Sequence, residues 1–421
     1  MKPPKLQAVR GMQDLVGEAA ARFERVVDAF REVGRRFGFR RVEVPVVEFT
    51  AVFARTLGET TDVVAKEMYT FDDRGGESLT LRPEFTAGIC RAFVANGWAQ
   101  HVPMKLMTHG PLFRYERPQK GRYRQFHQVD AEVIGAAEPQ ADVELLALAD
   151  MLLAELGIGG VTLQLNTLGD AASRAAWREA LVAHFAAHRD ALSDDSRRRL
   201  ETNPLRILDS KDEADRALVA EAPVIDSFLT SEAGAFFEAV QRGLAAAGVA
   251  FVRAPRLVRG FDYYRHTAFE FVTDRLGAQG TVIGGGRYDG LIEAMGGPPT
   301  PAVGWAGGIE RLMALSAEPP PEPLLAVIPE TAEAEPAAAR VALQLRRAGI
   351  ATDFAFRGNQ KRRRELAARA GATDLLFVRP GEALELNLVG DYPDESAQRA
   401  RAAALRAALP EAQLLVRGAP A

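Results

Sequence analysis

The pattern of apolar residues predicts an amphipathic helix near the N-terminus, followed by a strand. Between residues 18 and 37, apolar side chains recur at the three- to four-residue spacing of one helix face, and Gly38 follows as a stop signal. Residues 40–49 then alternate apolar and polar side chains, which is the period of a strand. Because Pro45 cannot donate a backbone hydrogen bond, this run predicts an edge strand or an irregular one.

The same alternation predicts several further strands that are close in sequence, which favours an antiparallel sheet. A helical pattern covers residues 139–157. A second helical block, at about 170–250, is rich in Ala, Arg and Glu and has no strand pattern, so we interpret it as an insertion into the sheet domain. The strands predicted in this part of the chain cover residues 78–82, 104–114, 124–135, 161–166, 267–273 and 281–284.

A proline-rich segment, AEPPPEP at 317–323, divides the chain. It predicts a first domain over residues 1–317, a linker at 318–323 and a second domain over 324–421. Strands and helices alternate in the second domain, as is typical of an α/β fold. The chain as a whole is therefore predicted to be α+β. In the second domain, strands are predicted at 324–328, 351–355 and 375–378, and helices near 333–348 and 359–370.

Composition excludes several classes of protein. The 421 residues are 47% hydrophobic and 26% charged, as in a globular chain. Cys90 is the single cysteine, so neither an intramolecular disulfide nor a cysteine-based zinc site can form. No run approaches the roughly 18 apolar residues that span a bilayer, and the N-terminus has no secretory pattern. We therefore expect a cytoplasmic protein with no membrane contact.

The formal net charge of −4 does not indicate a nucleic-acid partner, so RNA binding would require local basic patches. Two patches exist. Residues 114–124 carry five basic side chains and one acid, and residues 357–364 carry five basic side chains and no acid. Taken alone, either patch also fits an ordinary solvated surface.

Polar residues that could take part in catalysis or ligand binding follow or lie within the predicted strands. In LRPEFT at 81–86, the carboxylate of Glu84 can hold a substrate ammonium group, although a surface Arg–Glu pair would look the same. The segment 113–132 predicts two strands joined by a basic loop. The fork of Arg114 suits an α-phosphate. On the returning strand, the two-residue period places Gln128, Asp130 and Glu132 on one face. The same pattern also fits an amphipathic hairpin with one solvent-exposed face.

Three further segments contain aromatic or glycine-rich candidates. In RGFDYYRHTAFEF at 259–271, adjacent tyrosines can form the floor of a pocket or simply belong to the core. GGGRYDG at 284–290 does not match a P-loop or a GxGxxG fingerprint, and it leaves open a tight turn where a ligand approaches the backbone. In GWAGGIERL at 304–312, glycines allow a strand to pack on a helix, and Arg311 lies at the start of that helix.

The order and spacing of these segments resemble motifs 2 and 3 of class II aminoacyl-tRNA synthetases, with motif 1 around Pro45. Within that class, LRPE, the 113–132 hairpin, RGFDYY and GGRYDGL resemble the histidyl-tRNA synthetase family, as do NTLGD (166–170) and NPLRILDSK (203–211). The resemblance is specific over about residues 5–315 and looser beyond. It implies an antiparallel β-sheet catalytic domain flanked by helices, a helical insertion, and a C-terminal α/β anticodon-binding domain.

The resemblance also implies a reaction. ATP with Mg²⁺ and L-histidine would form a histidyl-adenylate and pyrophosphate, and the histidyl group would then move to tRNA(His), on a homodimer whose seam is motif 1. The protein itself is not expected to supply a dedicated metal site. The implied catalytic residues are Arg259 and Arg114; those for ATP are Arg114, Arg122, Arg311, Glu84 and Thr86; those for histidine are Glu84, Gln128, Glu132, Arg259, Tyr263, Tyr264 and Tyr288; those for tRNA are Arg117, Gln119, Arg362 and Arg363.

The sequence departs from the family pattern at several positions. Phe85 and Asp130 stand where glycine is common, His266 stands where arginine is usual, and LELNLVGDYPDE at 384–395 is divergent. Three alternatives share the resemblance: a histidine-binding regulatory subunit of ATP phosphoribosyltransferase, a module that senses uncharged tRNA, and a class II synthetase for another amino acid. The arginines at positions 114, 259 and 311 and the second domain argue against the first alternative. The absence of a kinase motif set argues against the second, and the match to the imidazole pocket argues against the third.

Overall fold

The computed structural model describes residues 6–57, 61, 63–119, 121–260, 263–277, 280–318, 323–379, 385–390 and 394–416. The chain divides into two compact units, Met1–Pro319 and Pro320–Ala421. Most of the proline-rich segment between them, residues 319–322, lies outside the described residues. Each unit is considered by itself below.

The first unit begins with the predicted amphipathic helix. Val26, Val27, Phe30 and Val33 form its buried face, and the helix ends where Gly38 adopts a positive φ of 76°. In chain order, the elements up to the long insertion are α1 (Glu18–Arg36), β1 (Arg40–Arg41), β2 (Val47–Phe49), α2 (Thr50–Leu57), β3 (Tyr69–Asp72), β4 (Ser78–Leu81), α3 (Thr86–Ala95), β5 (Met104–Phe113), β6 (Gln125–Ile134), α4 (Pro139–Glu155) and β7 (Thr162–Thr167).

The strand predicted at 40–49 is wrong as a single element. The chain pairs with β5 only at β1, and after Pro45 it joins a different sheet as β2. Because proline cannot extend the hydrogen-bonded ladder, the backbone changes sheets at this point. Val42 and Val44 are buried whereas Val46 is exposed, so the three valines do not share one environment.

A block of helices follows β7, over the range where the sequence indicated an insertion. Each of its main helices begins with a side chain that accepts a hydrogen bond from the first turn, which satisfies an otherwise free N–H group. These caps are Asp170, Ser193, Asp212 and Thr230. The helices are α5 (Ala171–Ala187), α6 (Asp194–Thr202), α7 (Glu213–Glu221) and α8 (Ser231–Ala247). The first three surround a core that includes Trp177, Leu181, Phe185, Ile207 and Ile225, whereas α8 packs on the main sheet.

The chain then returns to the sheet. Its remaining elements in this unit are β8 (Val252–Arg253), β9 (Arg265–Val272), β10 (Thr281–Arg287), α9 (Leu291–Ala294), β11 (Ala302–Gly308) and α10 (Ile309–Leu315). Within the described residues, the main sheet has eight strands in the order β1-β5-β6-β11-β10-β9-β7-β8. Its six central strands pair antiparallel, and the two short edge strands pair parallel. The predicted α+β class with an antiparallel sheet is confirmed.

Helices cover one face of this sheet and leave polar residues on the other. Apolar side chains of α1, α4, α8 and α10 pack against those of the central strands, for example around Phe30, Leu145, Leu244, Phe269 and Trp305. The burial of this apolar face is the main favourable contribution to folding of the unit. A smaller sheet, in the order β2-β4-β3, lies beside α2 and α3.

The second unit contains the alternating strands and helices that its pattern predicted. Its elements are β12 (Leu325–Pro329), α11 (Glu335–Arg347), β13 (Thr352–Phe354), α12 (Gln360–Arg369), β14 (Asp374–Val378), β15 (Glu385–Gly390), α13 (Glu395–Ala408) and β16 (Gln413–Val416). The sheet order is β13-β12-β14-β15-β16, and β15 alone runs antiparallel to a neighbour, β14. The divergent segment 384–395 contributes β15, while its residues 384 and 391–393 lie outside the described part.

None of the helices in the described ranges is both long enough and apolar enough to cross a membrane.

A buried ion pair joins the end of β10 to the start of α4. Arg287 and Asp142 are 0% exposed and lie in hydrogen-bond contact. Arg287 also donates to the carbonyl oxygen of Ala136 at 2.9 Å. Buried charges of this kind are tolerated only when they are paired, so each residue depends on the other.

Asp142→Ala is therefore expected to lower the free energy of unfolding by about 3–5 kcal/mol, because it leaves a buried guanidinium without its carboxylate. Urea unfolding followed by tryptophan fluorescence measures this change. Asp150→Ala removes an exposed carboxylate from the same helix and is the matched control. A loss below about 1 kcal/mol in Asp142→Ala would contradict the pairing argument. The fluorescence reports on the first unit alone, because the tryptophans are Trp98, Trp177 and Trp305.

Candidate functional site

A cleft of about 800 Å³ opens over the polar face of the main sheet. Its walls come from β6, β10 and β11, from the turn before α3, from the segment preceding β9, and from the start of α10. The cleft brings together most of the residues that the sequence singled out. Those on its walls are Glu84, Thr86, Arg114, Arg122, Gln128, Arg259, Tyr263, Tyr264, Tyr288 and Arg311.

One end of the cleft is built around the buried carboxylate of Glu132. Thr86 donates its hydroxyl to Oε1 at 2.8 Å, and Tyr288 donates its hydroxyl to Oε2 at 2.6 Å. Burial raises the pKa of Glu132 to about 8 although both hydrogen bonds act to lower it. A ligand with an N–H donor would stabilise the ionised form of this carboxyl group.

Glycines on the neighbouring strands make room for these side chains. A Cβ atom on Gly304 would lie 1.4 Å from Oε2 of Glu132, and one on Gly286 would lie 2.9 Å from the ring of Tyr264. Residues 284–286 lie inside β10, and the turn that the segment 284–290 left open comes just after this strand, at residues 289–290. A Cβ on Gly284 would lie 2.8 Å from the guanidinium of Arg259, so the glycines admit side chains of the site.

Aromatic rings and a second carboxyl group complete this end. The ring of Tyr263 lies 4.6 Å from that of Tyr264 and 5.9 Å from that of Tyr288, measured between centroids. Glu84 is buried, and its Oε1 accepts from the backbone N–H of Ala87 at 2.8 Å, in the first turn of α3. Burial raises the pKa of Glu84 above its ordinary value. Hydroxyl and carboxyl groups therefore lie close together in a buried pocket.

The other end of the cleft is cationic. Arg114 donates through Nε to the carbonyl oxygen of Pro83 at 2.9 Å, and Arg311 donates through Nη1 to that of Thr281 at 2.6 Å. Burial and the charges of Arg122 and Arg114 lower the pKa of Arg311 from its ordinary value. Three guanidinium groups that repel one another at one wall form a site for an anion with several oxygens.

Two acids that the sequence analysis missed orient these arginines. Arg259 contacts the carboxylate of Glu270, which also accepts from the hydroxyl of Thr281 at 2.8 Å. Arg122 pairs with Glu116, which lies in the same basic loop. Glu270 is a polar residue in an otherwise apolar strand, FEFV, and that interruption was the available signal. Each pair fixes the position of a guanidinium that faces the cleft.

Not every predicted residue lies at this cleft. Arg117 and Gln119 are exposed in the loop between β5 and β6, outside the residues that line it. Arg362 is exposed on α12 of the second unit. The burial of Arg363 argues against the RNA contact expected for it, because its side chain is used within its own unit. It donates to the carbonyl oxygens of Gly358 and Ala355, at 2.7 and 3.1 Å, and contacts Glu335.

The departures from the family pattern occupy distinct places. Phe85 is fully buried, and the guanidinium of Arg82 lies over its ring, 4.4 Å from the centroid. His266 has a positive φ of 48° and packs against Phe236, outside the residues that line the cleft. Asp130, in contrast, is buried on the floor of the cleft. Asp262 of the RGFDYY segment lies outside the described residues.

A family model described as histidyl-tRNA synthetase matches residues 11–312. The chain belongs to this family. A histidine–tRNA ligase from Novosphingobium aromaticivorans is 62% identical over 88% of this chain and 90% of its own length. A histidine–tRNA ligase from Gluconacetobacter diazotrophicus is 58% identical, with coverage of 89% and 90%. These matches extend well beyond the motifs and include part of the second unit.

Solved structures agree with this assignment. The apo histidyl-tRNA synthetase of S. aureus has a TM-score of 0.74 and 32% identity, covering 89% of this chain and 92% of that one. A structure from Bacillus halodurans C, titled ATP phosphoribosyltransferase regulatory subunit/histidyl-tRNA synthetase, has a TM-score of 0.67 and 22% identity, covering 90% of this chain and 100% of that one. At that identity, the second likeness concerns the fold alone.

Glu132→Gln is expected to remove a pH dependence of stability. The folded-state pKa of Glu132, about 8, lies above the ordinary value of 4.5, so the folded chain binds more protons than the unfolded chain between these values. The buried carboxyl group therefore lowers the free energy of unfolding as pH rises from about 5 to about 8, by on the order of a few kcal/mol.

Urea unfolding at about pH 5, 6.5 and 8 measures this dependence, and the glutamine variant should show a flatter profile than the original chain. Glu179→Gln changes an exposed carboxyl group on α5 and should leave the profile unchanged. Identical profiles for Glu132→Gln and the original chain would show that this carboxyl group ionises normally in the folded state.

Proposed function

We propose that this protein joins L-histidine to tRNA(His) in two steps. ATP and histidine first give a histidyl-adenylate and pyrophosphate, and the histidyl group then passes to the tRNA with release of AMP. The observation that carries the proposal is the division of one cleft into a carboxylate–tyrosine pocket and a cationic wall. The first suits an amino acid with a polar ring, and the second suits a triphosphate.

In this proposal, the imidazole ring binds at Glu132, Tyr264 and Tyr288. Imidazole carries one donor and one acceptor on opposite sides of a ring, and a carboxylate with tyrosine hydroxyls can satisfy both. An apolar competitor would leave these buried groups without partners, and such a site discriminates by roughly 10⁴-fold or more. Tyr263 packs beside the ring, while Glu84 and Gln128 hold the substrate ammonium group.

Adenylate formation requires positioning and charge stabilisation. The substrate carboxylate is already an anion, so it can attack the α-phosphorus without a side-chain base, and pyrophosphate leaves. Arg114 and Arg259 flank the reacting groups and stabilise the negative charge that develops at phosphorus. Arg311 and Arg122 bind the departing phosphates, and Thr86 contributes a hydroxyl beside the nucleotide.

Mg²⁺ is proposed to arrive with ATP. Among the described residues, no group of three His, Cys, Asp or Glu side chains is arranged to hold a metal ion. Magnesium commonly binds phosphate oxygens together with one or two carboxylates. Glu270 and Glu310 are the cleft acids whose charges act on Arg311, and they are the candidates to contact the ion. The ion would neutralise phosphate charge during the reaction.

The alternative is a regulatory subunit that binds histidine without charging tRNA. Such a role needs the histidine pocket and has no use for a cationic wall shaped for a triphosphate. Arg114, Arg259 and Arg311 all face the cleft, so we favour the enzyme.

We also propose a homodimer. Val46, Val47 and Phe49 on or before β2, together with Phe71 on β3, are at least 39% exposed and lie on two strands of the small sheet. A group of large exposed apolar side chains marks an interaction surface, and motif 1 includes this region. Sedimentation velocity tests the proposal, since a dimer has twice the chain mass of 45.7 kDa.

For tRNA, we propose that Arg117 and Gln119 contact the acceptor end and that Arg362 contacts the anticodon arm. Both regions are exposed and basic, which is what phosphate contacts require. We propose that the second unit is the anticodon-binding domain and that the protein acts in the cytoplasm. Buried, unpaired Cys90 suits a reducing compartment.

The first experiment is ATP–pyrophosphate exchange with each of the twenty amino acids, without tRNA. Exchange with histidine alone is expected, because only histidine satisfies both sides of the Glu132 pocket. Charging of tRNA(His) then tests the second step. Exchange with another amino acid in place of histidine would contradict the assigned specificity. If folded protein binds histidine and supports no exchange, the regulatory role replaces the enzyme.

Arg259→Lys is expected to lower kcat for exchange by about 100-fold or more and to change histidine affinity by less than about threefold, because the fork acts mainly in the transition state. Lysine keeps the charge opposite Glu270, so the pocket should stay intact. Arg178→Lys alters an exposed arginine on α5 and should match the original chain. Equal losses in binding and turnover would count against the transition-state role.

A further inference from the structure

Asp130 is a buried carboxyl group in the cleft to which the proposed function gives no role. Its side chain is 1% exposed, and Oδ1 has no hydrogen-bond partner among the described residues. Oε1 of Gln128, two positions earlier on β6, likewise has no partner there. Both side chains line the cleft and lie on the same face of the strand. Buried polar atoms are normally hydrogen-bonded, so this pair of acceptors indicates a place for a donor from a ligand.

The charges around Asp130 favour a positively charged donor. Two other carboxyl groups, Glu84 and Glu132, interact electrostatically with Asp130, and two guanidinium groups, Arg82 and Arg114, oppose them. Burial and these two carboxyl groups raise the pKa of Asp130, so a cationic donor in the cleft would stabilise its ionised form.

The two arginines also have limited capacity to satisfy Asp130 directly. Arg82 donates to the carbonyl oxygens of Val44 and Pro111, at 2.6 and 3.0 Å. Arg114 donates through Nε to the carbonyl oxygen of Pro83. Neither arginine donates to Oδ1 of Asp130 among the described residues, so a ligand can supply that donor.

The chemistry points to an ammonium group. A metal ion would need more ligands, and the described residues hold no set of three His, Cys, Asp or Glu side chains arranged for one. A primary ammonium group carries three N–H donors. Glu84, Gln128 and Asp130 offer three acceptors on the walls of one pocket, which matches that number.

We propose that Asp130 binds the α-ammonium group of the amino-acid substrate and thereby makes the site select ligands that carry this group. The inference rests on the proposed function, since it assumes that an amino acid occupies the cleft. It gives the glycine-to-aspartate departure at this position a role: the added carboxylate anchors one end of the substrate while Glu132 holds the other.

The test uses two histidine analogues that differ in the relevant group. Histidinol keeps the ammonium group and lacks the carboxylate, whereas 3-(imidazol-4-yl)propionate keeps the carboxylate and lacks the ammonium group. Isothermal titration of the full-length protein gives the Kd of each. Asp130→Asn should weaken histidinol about 10-fold, and Asp130→Ala about 100-fold, the loss expected for a charged hydrogen bond. The propionate should bind unchanged or more tightly.

Thr108→Val is the matched control. Thr108 lies directly opposite Asp130 across β5 and β6 and is buried, and its hydroxyl has no partner within the described part of the chain. Its replacement therefore perturbs the same packing without removing a charge. It should leave the ratio of the two affinities unchanged. The ratio is independent of the fraction of active protein, so partial misfolding of a variant does not affect it.

Asp130 variants that weaken both analogues equally, or neither, would overturn the assignment and leave Asp130 a structural residue. Histidine-dependent exchange by the original chain is measured in parallel. If that exchange fails while the affinity ratio still shifts, the proposed activity is wrong and the ammonium site stands. If exchange succeeds and the ratio of the two affinities does not change, the enzymatic activity is supported and the proposed role of Asp130 is wrong.

Discussion

The pocket depends on one steric constraint: Glu132 can occupy the space beneath the cleft only because residue 304 has no side chain. The two residues face each other across β6 and β11, and any Cβ at 304 would overlap the carboxylate. With that space available, Thr86 and Tyr288 can both reach the carboxylate oxygens. The arrangement connects the start of α3, the floor of the sheet and the end of β10, so Gly304 determines the geometry of the whole pocket.

Most of the charged groups in the cleft have a hydrogen-bond partner, and the two signs are largely separated along it. Carboxyl groups collect at the pocket, and guanidinium groups collect along the opposite wall. Such a division creates a field along the cleft that orients a substrate with an ammonium group at one end and a reacting carboxylate at the other. Acids behind the arginines, such as Glu270 and Glu116, hold the guanidinium groups in place, so little reorganisation is needed when charge develops at phosphorus.

Local patterns in the sequence were sufficient for most elements of the fold, whereas the members of the cleft followed from the family resemblance. Helical spacing predicted α1 and α4, and the strand pattern predicted β5 and β6, to within about two residues. α1 and β5 each bury one face, whereas β6 is buried on both faces from residue 129 onward. The errors occurred where tertiary contacts override local pattern. At Pro45 the segment leaves the main sheet and joins the small one, and this change depends on pairing with both sheets. The glycines at 284–286 lie in a strand because side chains from other elements fill the space above them.

The basic patch at 357–364 shows why charge alone is a weak guide to RNA contacts. Arg363 lies in the densest basic run of the second unit, yet its guanidinium donates hydrogen bonds to the turn between β13 and α12. Its neighbour Arg362 remains on the surface of the same helix, where it pairs with Glu365 one turn away. A surface pair of this kind contributes little to stability, so Glu365 can release the arginine to a phosphate at small cost. An arginine that can bind RNA therefore differs from a structural one in whether its N–H groups are already hydrogen-bonded within the protein. Only the three-dimensional contacts show this difference.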